Sequence, residues 1–170
     1  MTDSSWDKFW ENWQPTERAT LLFIIHDQKI LLILKKRGLG AGKINGPGGR
    51  IEPGETALQA AIRETQEELH VTALNPQQRG ELHFQFADGY ALYCAVFVAF
   101  EFSGTATETD EAVPLWTPLN AIPYEKMWAD DQHWLPGVIE GKSFRGFFNF
   151  DSDTMTKYKI DWVDEKKFEF

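Results

Sequence analysis

The sequence contains a single cysteine, Cys94, among 170 residues. An internal disulfide is therefore impossible, and we expect a reducing, cytoplasmic environment. Because Cys94 stands in an apolar segment, we interpret it as a buried structural thiol and not as a nucleophile. The sequence also lacks an apolar run of bilayer length and a cationic, hydrophobic leader, so we expect no membrane association.

Basic residues are scarce as well. Lysine and arginine contribute 17 positive charges against 26 acidic residues, which gives a net charge of −9. General binding to a nucleic-acid polymer needs a basic face and is not expected here. A small polyphosphate ligand is compatible with this charge, because a bound metal ion inverts the local field. The length suits one domain with a substantial core, and we expect a monomer or a weak dimer.

Three glutamates on one predicted helix are the most informative feature that is present. Glu64, Glu67 and Glu68 stand at i, i+3 and i+4, which are neighbouring positions on one helix face. Carboxylates crowded in this way repel one another, and hard divalent cations such as Mg²⁺ or Mn²⁺ relieve the repulsion. Phosphate chemistry uses such ions to neutralise charge and to orient an attacking water. The pattern predicts a metal-dependent hydrolase of a phosphate compound.

A solvated acidic helix face is the simpler interpretation of three glutamates alone. The surrounding residues favour the metal site instead. Glu55 lies in the loop before the helix, and Arg63 is placed to orient a carboxylate. The loop glycines Gly46, Gly48 and Gly49 let the backbone approach a ligand closely and offer peptide groups to metal or phosphate.

The opposite face of this helix is apolar and predicts packing against the core. It consists of Leu58, Ile62, Thr65 and Leu69. Thr56 and Gln59 form a sequence pattern typical of a capping box at the helix start.

The rest of the chain alternates strands with helical segments and predicts a mixed α/β (α+β) fold, with a mixed sheet between helices. The segment His26-Asp27-Gln28 separates two apolar runs and predicts a tight turn between paired strands. Residues 132–140 predict a helix that Pro136 limits to a start near Trp134. The predicted strands are residues 20–25, 29–34, 81–86, 91–102, 115–118, 144–150 and 158–163.

One block of residues carries a family resemblance. Gly49, Glu55 and the run Arg63-Glu64-Thr65-Gln66-Glu67-Glu68-Leu69 stand in the register of the Nudix box, so the chain resembles the Nudix hydrolases. Two positions depart from the box. Thr65 replaces an aliphatic residue, and His70 replaces a glycine that ends the helix with positive φ, a conformation in which histidine is enriched. The resemblance implies the Nudix fold and metal-dependent hydrolysis.

Flanking motifs resemble a narrower group, the oxidised purine nucleoside triphosphatases, which are eukaryotic-type MutT homologues that hydrolyse 8-oxo-dGTP. These motifs are residues 35–46, 127–131 and 144–150, and the likeness covers roughly residues 20–163. It implies Mg²⁺-dependent hydrolysis of oxidised purine nucleoside triphosphates, of the 8-oxo-dGTP and 2-hydroxy-dATP type. The products would be nucleoside monophosphate and pyrophosphate, and the role would be sanitation of the nucleotide pool.

The resemblance also implies a substrate site. Asn45 would bind the base, Thr20 and Lys35 would line the nucleoside side, and Gly48 and Gly49 would approach the substrate through their backbone. The predicted apolar walls, for which plain core packing is the alternative, are Leu39, Phe84, Phe86, Leu92 and Trp134.

The segment Met127-Trp128-Ala129-Asp130-Asp131 makes sense as a reader of the base. Trp128 would stack on a purine, a contact worth about 1–3 kcal/mol per base in single-strand binders. Asp130 and Asp131, if buried together, cannot both ionise cheaply, so one would hold a proton. The protonated acid would donate a hydrogen bond while its neighbour accepts one. A helix start, with Asp130 as cap, is the alternative interpretation.

The implied metal ligands are Glu64, Glu67, Glu68, the Gly48 carbonyl and Glu111. Asp110 replaces Glu111 if the register slips by one residue. Either Glu67 or Glu111 would accept the proton of the attacking water. Arg63 would position a carboxylate, not touch the substrate.

Two other functions fit less well. A different Nudix activity, on dinucleoside polyphosphates, nucleotide sugars or capped RNA, is disfavoured by Asn45 and the Asp130-Asp131 pair. A non-catalytic nucleotide sensor should have lost box carboxylates, and here all are present.

The N-terminal residues lie outside the resemblance. Trp6, Phe9, Trp10 and Trp13 recur at i, i+3, i+4 and i+7 and predict a short helix with an aromatic stripe. We therefore predict that residues 1–19 form an aromatic helical extension packed on the domain or on a partner subunit. Residues 20–170 would form the Nudix hydrolase domain.

Overall fold

The computed structural model describes residues 4–164 and Phe168. Its helices are α1 (Ser4–Glu11), α2 (Ala57–Leu69), α3 (Asp131–Ile139) and a short 3-10 helix (Tyr124–Lys126). Its strands are β1 (Glu17–His26), β2 (Lys29–Lys35), β3 (Ile44–Asn45), β4 (Val71–Leu74), β5 (Gln77–Phe86), β6 (Ala91–Ala99), β7 (Glu101–Gly104), β8 (Ala112–Pro118), β9 (Ser143–Asp151) and β10 (Thr154–Val163).

Eight strands form one mixed sheet in the order β10-β9-β5-β6-β1-β2-β3, with β8 also paired to β2. The pairs β1–β6 and β5–β9 are parallel, and the other pairs are antiparallel. A buried cluster that includes Ala61 and Leu69 of α2 packs on one side, and a second that includes Trp134 and Leu135 of α3 packs on the other. The predicted mixed sheet between helices is confirmed.

The predicted hairpin is present, and its turn residues Asp27 and Gln28 both have positive φ. Such a two-residue turn matches the twist of antiparallel strands. β1 stays paired with β2 only at Ile25 and His26, and the strands then separate.

The glycine-bearing loop takes the edge of β1 that β2 leaves open. Leu22 N donates to Pro47 O at 2.8 Å, and Thr20 N donates to Gly49 O at 2.9 Å. Ile51 N donates to Arg18 O at 2.9 Å further along the strand. These bonds fix the glycine-bearing loop to β1.

Helix α2 begins and ends as its sequence predicts. Thr56 and Gln59 form the capping box, with the Gln59 amide 3.1 Å from Thr56 Oγ1. His70 ends the helix with φ of 61°. The predicted apolar face is wrong at Leu58, which is 41% exposed. The buried face passes through Thr65 and takes in Glu68 instead, so a carboxylate points into the protein.

The substitution His70→Gly is expected to raise the free energy of unfolding by about 0.5–1 kcal/mol, because glycine removes the steric cost of left-handed backbone but loses more chain entropy. Urea unfolding measures this change. His70→Ala has no such relief and should show no gain. Equal stability of the two variants would contradict the argument.

Helix α3 begins at Asp131, earlier than the start near Trp134 that Pro136 suggested. The prediction was wrong because tertiary contacts outweigh the hydrogen bond that proline removes. Trp134 is fully buried, and its Nε1 donates to Asp130 Oδ2 at 2.8 Å.

Helix α1 lies against the sheet. It ends at Glu11, so Trp13 follows the helix, and Trp13 Nε1 donates to Gln85 Oε1 at 2.9 Å. The Trp10 ring lies 5.3 Å from the Phe147 ring, measured between centroids. The division into segments 1–19 and 20–170 stays a prediction, and residues 1–3, 165–167, 169 and 170 lie outside the described part.

Among residues 4–164, the helices are all too short or too polar to cross a membrane.

Candidate active site

Three carboxylates converge beside the glycine loop. Glu64 and Glu68 of α2 and Glu111, just before β8, each place one oxygen within 4.8 Å of the others. Asp110, the alternative to Glu111, is exposed and lies outside this group. We refer to Glu64, Glu68 and Glu111 as the acidic cluster.

Thr109 holds the Glu111 loop against α2. Its hydroxyl donates to the Glu68 backbone carbonyl at 2.7 Å and accepts from the Glu111 amide at 3.3 Å. Arg37 Nη2 also lies 3.1 Å from Glu111 Oε1. Thr109 could not be found from sequence, because its loop meets α2 only in the folded chain.

Arg63 organises the glutamates of the box. Its guanidinium binds both oxygens of Glu55, at 2.7 and 2.9 Å. It also donates to Glu64 Oε1 at 2.9 Å and to Glu67 Oε2 at 3.2 Å. Hydrogen bonds from Arg63 hold the pKa of Glu55 at about 2. This geometry agrees with a positioning role for Arg63, which stays a prediction.

Glu67 lies at the edge of the acidic cluster. Its side chain is half-exposed and paired with Arg63, outside the group of converging oxygens. A water molecule can therefore reach the Glu67 carboxylate. Its roles as metal ligand and base stay predictions.

The acidic cluster suits a hard divalent cation. Burial raises the pKa of Glu68 to about 8, and burial also raises the pKa of Glu64. A divalent cation would reverse both shifts by stabilising the charged carboxylates. The Gly48 amide lies 3.2 Å from Glu68 Oε1, which brings the predicted Gly48 ligand beside the cluster. The donor set therefore fits a divalent metal ion.

Gly49 leaves the room that the Glu64 carboxyl occupies. A Cβ at this position would lie 2.4 Å from Glu64 Cδ. Gly49→Ala should displace that carboxyl and weaken Mn²⁺ binding by about 10-fold or more, the usual cost of disturbing groups that support a metal ligand. Calorimetric titration with Mn²⁺ measures the change, and circular dichroism serves as the folding control. Unchanged Mn²⁺ affinity would contradict this account.

A cavity of about 140 Å³ borders the acidic cluster. Of the substrate-binding residues predicted from the sequence, it is lined by Thr20, Lys35, Asn45, Gly48, Gly49, Phe84, Trp128, Asp130 and Asp131. We call it the nucleoside cavity. The structure thus brings these residues together, while their contact with substrate stays a prediction.

Lys35 and Thr20, which the resemblance places on the nucleoside side, are polar residues that line this cavity. Lys35 Nζ donates to the Leu39 carbonyl at 2.6 Å, and its burial lowers the pKa of Lys35. Thr20 is buried, and its Oγ1 lies 3.4 Å from the Gly49 carbonyl. A cationic and a hydroxyl group therefore line the cavity, and Lys35 is near enough to the acidic cluster to feel the charges of its glutamates.

Trp128 and Asn45, the predicted base-binding residues, lie near each other beside Lys43 and Gly40. Lys43 Nζ lies 5.3 Å from the centre of the Trp128 ring, and Asn45 Nδ2 donates to the Lys43 carbonyl at 3.2 Å. Gly40 packs against the indole, since a Cβ there would lie 2.7 Å from Trp128 Nε1. The loop that contains Gly40 thus sets the position of the proposed stacking surface.

Asp130 and Asp131 are both almost fully buried. Burial raises the pKa of each carboxyl, and the neighbouring Asp130 charge raises that of Asp131 further. The pair therefore favours one retained proton, as expected from the sequence. Asp130 also precedes α3 at the cap position, but its side chain makes no capping hydrogen bond.

Four of the predicted apolar walls, Leu39, Phe84, Phe86 and Leu92, line the nucleoside cavity. Trp134 does not: it is a core residue, with its ring stacked 5.2 Å from Phe144. Sequence reasoning missed Leu21, Leu82 and Cys94 as lining residues. Leu82 could have been predicted, because it alternates with Phe84 and Phe86 and therefore lies on the same face of β5. Burial also raises the pKa of the Cys94 thiol, as a structural cysteine requires.

Comparison with known proteins places this geometry in context. The model of the NUDIX domain matches residues 15–138. The oxidized purine nucleoside triphosphate hydrolase of Danio rerio is 38% identical over 148 residues, which cover 86% of this chain and 95% of that protein. The protein of the same description from Mus musculus is 38% identical over 147 residues, covering 85% and 94%.

A solved structure is similar as well. The crystal structure of the mutator MutT protein from Bacillus halodurans matches with a TM-score of 0.78 and 26% identity. The match covers 85% of this chain and 97% of that chain.

Proposed function

This chain belongs to the NUDIX family, and on that premise we propose that it hydrolyses oxidised purine nucleoside triphosphates with Mg²⁺ as cofactor. The substrates would be of the 8-oxo-dGTP and 2-hydroxy-dATP type, and the products nucleoside monophosphate and pyrophosphate. The two relatives named as oxidized purine nucleoside triphosphate hydrolases support this choice over other Nudix activities.

One observation carries the proposal. The nucleoside cavity is lined both by the buried Asp130 and Asp131 and by Gly48 and Gly49. Those glycines contact Glu68 and Glu64 of the acidic cluster. This adjacency of buried hydrogen-bonding acids and the acidic cluster supports a ligand that carries both a base and a phosphate chain.

The acidic cluster, Glu67 and the Gly48 carbonyl would hold Mg²⁺, with Mn²⁺ as a substitute. When bound, the ion would neutralise triphosphate charge and lower the pKa of the attacking water. Glu67 or Glu111 accepts the water proton, while Arg63 keeps Glu64 and Glu67 in place. The water oxygen forms a new bond to phosphorus, the phosphoanhydride bond breaks, and pyrophosphate leaves.

The buried aspartates select the base. With one proton between them, the pair offers one donor and one acceptor to the purine edge. Asn45 binds another part of the base, and Trp128 stacks on its face. Oxidation changes the donors and acceptors of a purine, so a fixed pair of this kind distinguishes it from the normal base.

A substrate panel tests the proposal. Pyrophosphate release is measured with 8-oxo-dGTP, 2-hydroxy-dATP, dGTP and diadenosine compounds, each with Mg²⁺ and with excess chelator. We expect the highest kcat/KM for an oxidised purine triphosphate and loss of all turnover with chelator. A preference for diadenosine compounds, or turnover that survives the chelator, would refute the proposal.

We further propose that the protein acts in the cytoplasm as a monomer or weak dimer, without nucleic-acid or membrane partners. Light scattering and localisation of a tagged chain test these points.

A further inference from the structure

A second cavity lies on the opposite face of β5 from the nucleoside cavity. Side chains alternate along a strand, so Leu82 and Phe84 line the nucleoside cavity while Glu81 and His83 line the other. The second cavity has a volume of about 490 Å³ and is bounded by α1. We call it the α1 cavity. The helix that bounds it precedes the region matched by the NUDIX domain, residues 15–138.

The walls of the α1 cavity are aromatic. Trp6, Trp10, Trp13 and Phe147 all line it. The Trp10 ring centroid lies 5.6 Å from that of Trp6, 5.4 Å from that of Trp13 and 5.3 Å from that of Phe147. The faces of such rings carry negative potential and attract cations, and tryptophan does so most strongly.

The charges around the α1 cavity are predominantly negative. Four carboxylates, those of Asp7, Glu11, Glu81 and Asp161, line it together with two cationic side chains, Arg145 and Lys159. At the floor of the cavity, Arg145 balances the negative charge of Glu81. Arg145 Nε lies 3.3 Å from Glu81 Oε2, and Tyr93 donates to Glu81 Oε1 at 3.0 Å. Of the other described lining residues, three carry carboxylates, Asp7, Glu11 and Asp161, and one, Lys159, carries an ammonium group, so negative charge predominates at the rim.

At that rim, the ammonium group of Lys159 lies close to two carboxylates. Lys159 Nζ lies 3.9 Å from Asp7 Oδ1 and 3.8 Å from Asp161 Oδ1. Glu11, on the same helix as Asp7, adds a further negative charge. Nearby, the Lys157 ammonium already rests 4.5 Å from the centre of the Trp6 ring. The chain itself thus places an ammonium group over one ring of this aromatic group, that of Trp6.

We propose that the α1 cavity binds a small organic cation through an ammonium head group. The indole faces would contact the cation, and the rim carboxylates would balance its charge. A volume of about 490 Å³ lies in the usual range of small-molecule sites. The site is separate from the catalytic one, so the inference does not depend on the proposed function.

Indole N–H resonances of the ¹⁵N-labelled protein test the proposal, assigned by single Trp→Phe variants. Tetramethylammonium and choline are titrated with saturating Mg²⁺ present, so that the acidic cluster does not compete for them. The expected result is saturable shifts of the Trp6, Trp10 and Trp13 signals with little change at Trp128. The neutral isostere 3,3-dimethyl-1-butanol should bind about threefold to thirtyfold more weakly, the range expected for a cation–aromatic contribution.

Glu11→Gln removes one rim charge without altering the aromatic walls and should weaken choline binding. Glu101→Gln, on exposed β7, makes the same charge change elsewhere and should leave it unaltered. The proposal is overturned if no saturable shift occurs at the α1 indoles, or if the shifts are confined to Trp128. Equal binding of the neutral isostere, or unaltered choline binding by Glu11→Gln, overturns it as well.

Discussion

Glu67→Gln is expected to lower kcat by about 10²–10⁴-fold, the usual contribution of a general base, while the fold remains intact. The Glu67 side chain is half-exposed, so a water molecule can reach it, and Arg63 Nη1 holds its Oε2 at 3.2 Å. Pyrophosphate release at saturating Mn²⁺ measures the effect without confusing it with weaker metal binding. Glu52 is another glutamate near Arg63, but it lies on an exposed loop. Glu52→Gln is therefore the matched control, and this variant should keep full activity.

Glu111→Gln distinguishes the two candidate bases. Removing the true base should abolish the acidic limb of the kcat–pH profile, whereas removing a metal ligand should mainly weaken Mn²⁺ affinity. Full turnover by Glu67→Gln would exclude it as base and leave Glu111 in that role. If both variants kept full turnover, the mechanism itself would be wrong.

Asp131→Asn is expected to reduce kcat/KM for 8-oxo-dGTP by about 10–100-fold, because a fixed amide donor replaces the shared proton that joins Asp130 and Asp131 in a charge-assisted hydrogen bond. Burial raises the pKa of both carboxyls, so the pair retains one proton at neutral pH and loses it as the pH rises. The ratio of kcat/KM for 8-oxo-dGTP to that for dGTP should therefore fall with rising pH in the natural protein.

The same variant tests the direction of this pH effect. An asparagine amide donates at every pH, so the alkaline fall in that ratio should disappear in Asp131→Asn. Asp110→Asn, at an exposed position near the acidic cluster, is the control and should retain the fall. An unchanged alkaline fall in Asp131→Asn would show that another group controls the selection of the base.

The features that depend on neighbouring residues could be read from the sequence. The capping box of Thr56 and Gln59, the turn at Asp27 and Gln28, and the left-handed conformation of His70 all arise within a few residues of chain. The family motif likewise located the residues that meet in the nucleoside cavity.

Features that depend on packing could not be read in this way. Glu68 belongs to an acidic run, yet it is 5% exposed because the helix turns this carboxylate toward the glycine loop. Cys94 lines the cavity only because β6 pairs with β5, where Cys94 lies opposite Leu82. The early start of α3 depends on the buried indole of Trp134, and Thr109 reaches α2 from a distant loop.

The hydrogen bonds between β1 and the glycine loop give the site a fixed length. Thr20, which lines the nucleoside cavity, is bonded through its amide to Gly49, whose missing side chain leaves room for Glu64. On the proposed function, these backbone hydrogen bonds therefore set the distance between a bound base and the acidic cluster. The residues that bind the base would then also determine which phosphoanhydride bond reaches the acidic cluster and is hydrolysed.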